Sequence, residues 1–227
     1  MIPKAFHFVW IGPKPPWWAK ENMRRFQKLN PEFSFRLHGE EVLLKAFEHA
    51  YQRVEGEHLL ARRSDLLRVS ALLRYGGGWY FDCDFLPIRP LAELYCDYED
   101  FPRGCFVTHC DHLQGRPWMA NGIIGTTADS PFFAIMVAGL IYRGDCSKTI
   151  VWESYGPGLV TPLVEQHRRL VHVGDIDMFY PCRVRAKAMA TYKRIAEADY
   201  SHEAVIRELG EPLPYMMHQS MQDALEL

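Results

Sequence analysis

Apolar residues recur at helical spacing in some stretches of the chain and run as short aromatic or β-branched blocks in others, and the two patterns take turns. Blocks at residues 5–11, 33–37, 79–81, 106–109 and 122–126 read as strands, the second of them following the turn signal Asn30-Pro31. Between and after them, residues 17–30, 40–51, 61–75, 130–142, 158–166, 185–198 and 201–209 read as helices. Ser130-Pro131 supplies a cap and a first-turn proline, and Gly210 a stop. Residues 12–16 form a proline-rich loop. Such alternation predicts an α/β fold with a Rossmann-like, mostly parallel sheet flanked by helices. It contains no internal repeat and no low-complexity linker, so residues 1–227 read as one domain.

In the helix over 61–75, Leu66, Val69, Leu72 and Leu73 make a core-facing stripe. Asp65 and Arg68 are i, i+3 neighbours on a second face. Read in isolation they would be a surface ion pair, worth little. The run Gly76-Gly77-Gly78 then turns the chain sharply into Trp79-Tyr80-Phe81 and delivers Asp82 and Asp84. On a strand, residues i and i+2 share a face, so both carboxylates could converge on one target. Two acceptor-only groups there repel each other unless a cation intervenes. A hard divalent ion with oxygen ligands is the natural counter-charge, and a diphosphate its usual second partner. The pattern therefore points to a metal–diphosphate site of the kind that holds a nucleotide sugar.

Composition narrows the field. A net charge of −2 gives no footprint of nucleic-acid binding. Met1-Ile2-Pro3-Lys4 leads directly into a strand pattern with no signal segment, and the apolar run over 132–142 is too short to span a bilayer. Six cysteines without a paired framework suggest reduced thiols and a cytoplasmic setting. Cys105, His109, Cys110 and His112 lack the tight spacing of structural zinc and read as a strand running into a polar loop.

The segments Ser64-Asp65-Leu66-Leu67-Arg68 and Gly77-Gly78-Trp79-Tyr80-Phe81-Asp82-Cys83-Asp84 resemble the core of glycosyltransferases with a DXD sugar-binding motif. That group includes fungal-type initiating mannosyltransferases and bacterial capsule and lipopolysaccharide transferases, and the catalytic domains of large clostridial glucosylating toxins are similar too. The resemblance extends to Ile2–Gly12, Asn121-Gly122, Tyr155-Gly156-Pro157-Gly158, Tyr180-Pro181 and His218-Gln219-Ser220, in order along nearly the whole chain. It implies a GT-A type fold and a metal-dependent, retaining transfer from a nucleotide-diphosphate sugar, UDP-sugar favoured, to an unknown acceptor. It also implies roles. Asp84 and His218 would hold Mn²⁺ or Mg²⁺, with Asp82 on the ribose and beside the metal and Ser220 a weaker ligand. Trp10 would lie against the base, with Phe8, Val9, Ile11 and Tyr80 near the nucleoside and Gly156 and Ser220 on the donor. Asp65, Arg68 and Asn121 would contact the sugar. The group often has tryptophan after the terminal serine, where this chain has Met221. Two other classes compete: a nucleotide-sugar-binding module without catalysis, and a metal-dependent phosphohydrolase with a nucleophilic aspartate. Phe85 stands where the latter needs a small hydroxyl residue.

Overall fold

The structure is a computed structural model, and it describes residues 1–52, 60–97, 101, 103–113, 116–143, 155–181 and 185–218, the side chains of 110–117 and 185–189 excepted. The chain runs β1 (Ala5–Val9), α1 (Trp17–Leu29), β2 (Ser34–His38), α2 (Glu48–Gln52), α3 (Leu60–Arg74), β3 (Gly77–Phe81) and β4 (Phe85–Pro87). It continues through α4 (Leu91–Asp97), β5 (Cys105–Leu113), β6 (Arg116–Thr127), α5 (Pro131–Tyr142) and α6 (Pro157–Gln166). The last described elements are β7 (His172–Gly174), α7 (Ile176–Phe179), α8 (Arg185–Glu197), α9 (His202–Leu209) and β8 (Met216–His218).

Six strands form the central sheet in the order β2-β1-β3-β6-β5-β7, helices covering both faces. The pairs β1·β2, β1·β3 and β5·β7 are parallel, while β6 runs antiparallel to both β3 and β5. Burial on both faces explains why the strands read as continuous apolar blocks. Alternate residues serve opposite cores. Phe6, Phe8, Trp79, Phe81 and Phe106 pack with α1 and α4, whereas Val9, Tyr80 and Val107 pack with α3, α5 and α6.

Gly77 and Gly78 do more than turn the chain. Both lie inside β3 with φ of 97° and 119°, and a Cβ on them would meet the Thr126 carbonyl at 2.3 Å and the Ala5 carbonyl at 2.8 Å. Only glycine combines that backbone with so close an approach of two neighbouring strands.

The helices over 61–75 and 130–142 form as expected, the latter capped by Ser130 Oγ, which accepts from the Phe133 N–H at 3.3 Å. Leu66, Val69 and Leu72 are buried, but Leu73 is 36% exposed and leaves the stripe. The expected helix over 40–51 is instead broken into two short 3₁₀ turns, Glu40–Val42 and Lys45–Phe47, ahead of α2. Leu43 and Leu44 are extended between them, with ψ of 129° and 142°. That break lets both Val42 and Phe47 reach the core beside α3, and the Leu44 N–H finds Ser70 Oγ at 3.3 Å.

β8 pairs antiparallel with β4 in a separate two-stranded ribbon, setting His218 opposite Phe85. α7 reaches the same ribbon, because the Met178 carbonyl accepts the Tyr215 N–H at 2.8 Å. β8 is thereby fixed beside the residues that follow Asp84. Among the described residues no helix is long and apolar enough to cross a membrane.

Candidate active site

Asp82 and Asp84 leave the end of β3 in a tight turn. The Asp82 N–H donates to the Gly122 carbonyl at 2.9 Å, and the Asp82 carbonyl accepts from the Phe85 N–H at 3.2 Å. The turn divides the two carboxylates instead of aligning them as a continuing strand would. Asp84 Oδ2 faces His218 Nε2 at 3.2 Å. Asp82 Oδ1 accepts from the Tyr80 hydroxyl at 2.6 Å and lies 3.3 Å from the Arg68 guanidinium.

Arg68 is the hub of the second half. It is buried, its guanidinium 3.2 Å from Asp65 Oδ1, and it donates to the Asn121 carbonyl at 2.5 Å and to Ser64 Oγ at 3.2 Å. Its plane lies over the Tyr80 ring, 4.7 Å from the centroid. Asn121 closes the circuit, its side-chain amide donating to Asp65 Oδ1 at 2.6 Å. The surface-pair reading of Asp65 and Arg68 does not hold, since both are inside. Burial opposes the charge on Arg68, but Asp82 and Asp65 beside it push its pKa up. Burial pushes the Asp65 carboxyl up as well, to about 6, against the pull of Arg68 and Asn121. Cys83, between the two aspartates, is likewise pushed up by burial, so its thiol stays protonated, donating to the Val9 carbonyl at 3.5 Å.

The residues expected near the nucleoside are sorted by the sheet. Trp10 sits just past the carboxyl end of β1, packed edge-on against Trp18 with ring centroids 6.2 Å apart. Phe8 is wholly inside the aromatic core against Phe26, Phe35 and Phe81, so its side chain is part of the wall's support. Val9 is buried and Ile11 half-buried on the α3 face. Tyr80 belongs to the Arg68 network through its hydroxyl. Gly156 starts α6, its carbonyl accepting from Leu159 and Val160, and Thr161 of that helix accepts the Met119 N–H at 2.9 Å, two residues before Asn121. Ser220 and Met221 lie outside the described residues.

Two neighbours carry no role in the sequence reading. A Cβ on Gly122 would sit 2.6 Å from Asp82 Oδ2 and 3.3 Å from the Tyr180 hydroxyl. Asn22 of α1 donates to the Cys83 carbonyl at 3.0 Å and pins the turn from outside. The pairing of Asn121 with Gly122 was the available signal for the first; nothing local marks Asn22.

Among the described residues, no three histidine, cysteine or acidic side chains gather into a ready metal cage. Asp84 and His218 nevertheless make a donor pair of carboxylate oxygen and imidazole nitrogen. That mixed pair could hold a divalent cation.

No protein-family model matches the chain, and no curated protein sequence does. Solved structures do. The chain is similar to the PaToxG glycosyltransferase, with 17% identity over 93% of this chain and 79% of that one and a TM-score of 0.55. It is similar to the UDP-bound glycosyltransferase domain of the YGT toxin, with 11% identity, 88% and 86% coverage and a TM-score of 0.56. A glycosyltransferase involved in glycosylation of the major capsid of PBCV-1 covers both chains almost fully, 98% and 97%, at 13% identity and a TM-score of 0.53. The architecture is the α/β glycosyltransferase fold of the GT-A type.

Proposed function

We propose that the protein is a metal-dependent glycosyltransferase that moves a sugar from a nucleotide-diphosphate sugar, UDP-sugar favoured, to an acceptor with retention of anomeric configuration. The observation that carries this is the division of labour after β3: Asp84 paired with His218 on one side, Asp82 locked into the buried Arg68–Asp65–Asn121 network on the other. Ligands of α/β sheets bind beyond the carboxyl ends of strands, and Trp10 and Asp82 both stand there.

In this reading Asp84 and His218 hold Mn²⁺ or Mg²⁺. When bound, the cation supplies charge neutralisation for the departing diphosphate. Trp10 offers its face to the base. Asp65 accepts from a hydroxyl of the donor sugar and Arg68 donates to another, both fixed in place by burial before the donor arrives. Asn121 steers the ring. The two acids of the buried network, Asp65 and Asp82, are both paired with Arg68, which suits them to binding better than to nucleophilic attack. Front-side attack follows, with the leaving phosphate taking the acceptor's proton.

The test is a panel of nucleotide sugars with Mn²⁺, scored for donor hydrolysis and transfer, with Asp84→Ala alongside. Wild type should turn over at least one UDP-sugar and Asp84→Ala should lose turnover and Mn²⁺-dependent UDP binding while staying folded. Undiminished turnover in excess chelator, or by Asp84→Ala, would sink the mechanism. Anomeric coupling in the product's NMR spectrum decides the stereochemistry, a β-linked product from an α-linked donor meaning inversion.

A further inference from the structure

Tyr180 follows α7 directly, its N–H donating to the Ile176 carbonyl at 2.6 Å. Its ring lies against His218, with centroids 5.2 Å apart and planes inclined by 38°, and edge-on to Phe85 at 5.3 Å and 83°. Phe85 itself meets His218 at 4.9 Å. The three rings thus form one mutually packed cluster, in which the imidazole rests against one aromatic ring from β4 and one from the end of α7. The tyrosine's hydroxyl reaches the Asp82 half of the site. A point one bond from Gly122 Cα is 3.3 Å from the Tyr180 hydroxyl and 2.6 Å from Asp82 Oδ2, so hydroxyl and carboxylate flank the same spot.

We propose that Tyr180 is a positioning residue: its ring sets the His218 imidazole against Asp84, while its hydroxyl borders the Asp82 side of the site. One side chain then couples the cation-holding pair to the sugar-holding network. The inference rests on the reading of Asp84 and His218 as the cation-holding pair.

The physical need is plain. His218 ends a three-residue strand, and its ring torsion is intrinsically broad. The short strand leaves the imidazole torsion open, and packing against the Phe85 and Tyr180 rings narrows it. Groups that orient a metal-binding histidine from behind typically change metal affinity by about 10- to 100-fold when removed. The tie between the Met178 carbonyl and the Tyr215 N–H keeps the α7 end and β8 in fixed relation, so the clamp is preset.

The test is Mn²⁺ titration in saturating UDP, free Mn²⁺ being read by electron paramagnetic resonance. Tyr180→Met should bind Mn²⁺ about tenfold more weakly than wild type; Tyr180→Leu serves where the methionine variant does not fold. Tyr180→Phe, which keeps the ring, should bind within about twofold of wild type. The double variant Tyr180→Met/His218→Ala should bind no more weakly than His218→Ala alone, because the ring acts only through the imidazole. Wild-type affinity in Tyr180→Met, equal weakening in Tyr180→Phe, or additive weakening in the double variant would each overturn the clamp. A wild type whose Mn²⁺ uptake is indifferent to both Asp84→Ala and His218→Ala would instead overturn the underlying reading, and the clamp with it.

Discussion

At the scale of single residues, the site turns on how one guanidinium is shared. Arg68 meets two carboxylates, two backbone carbonyls and a hydroxyl at once, a task for a planar fork of donors that a lysine ammonium cannot match. Removing it strands Asp65 and Asp82 without their counter-ion. Arg68→Met should therefore cost about 3–5 kcal/mol in chemical denaturation, the range for breaking a buried pair. A loss below about 1 kcal/mol would mean surface-pair energetics after all. Sequence spacing showed that Asp65 and Arg68 could meet but not that they were inside. Burial here depends on Asn121 arriving from a strand more than fifty residues downstream, as the 56-residue separation of its bond to Asp65 records. The separate destinations of Asp82 and Asp84 were hidden for the same reason, since they depend on the turn that the Gly122 carbonyl helps to form.

At the scale of elements, what was legible had enough residues to show a period or a cap. α3, α5 and α9 came through on apolar stripe, Ser130 cap and Gly210 stop. β4, β7 and β8 did not, because three residues are too few to establish alternation, and the pairing of β4 with β8 joins segments 133 residues apart at Phe85 and His218. Yet that ribbon is what brings His218 to Asp84. The triple glycine was read as a sharp turn, and its deeper reason is the sheet. Gly76 has φ of 76° with open space around its missing Cβ, so Gly76→Ala should cost about 1–2 kcal/mol from backbone strain alone. Gly77→Ala adds a collision with the Thr126 carbonyl at 2.3 Å and should cost clearly more, since β3 and β6 must part to admit it. Equal melting temperatures for the two variants would show that the strand contact is relaxed in solution.

Across the whole molecule, the two faces of the sheet carry unequal chemistry. One is a nearly unbroken aromatic core. The other, under α3, holds the site network at one end and a buried histidine pair at the other, where His7 Nδ1 and His38 Nε2 are 3.0 Å apart and both rings stack near Tyr75. Burial, reinforced by His38, lowers the His7 pKa from 6.5 to about 4, and burial lowers that of His38 too. The folded state thus keeps His7 neutral at a pH where the unfolded chain takes up a proton. Between about pH 6.5 and 4 the unfolded state binds more protons, so stability is lost as the pH falls through that window. Asp65 works in the opposite sense, its carboxyl being raised to about 6, so the native state gains relative stability as the pH falls from there towards 3.8. Total stability mixes the two, and a comparison with His7→Phe separates them. Between pH 7.5 and pH 5, wild type should lose about 2 kcal/mol relative to that variant in urea denaturation, from the linkage of a single group shifted to this extent. The absolute offset between the proteins will also contain packing and the lost contact to His38; only its change with pH reports the proton. A difference that stays constant from pH 7.5 to pH 5 would mean that His7 is protonated as readily in the fold as outside it, and that the pair shares a proton instead of excluding one.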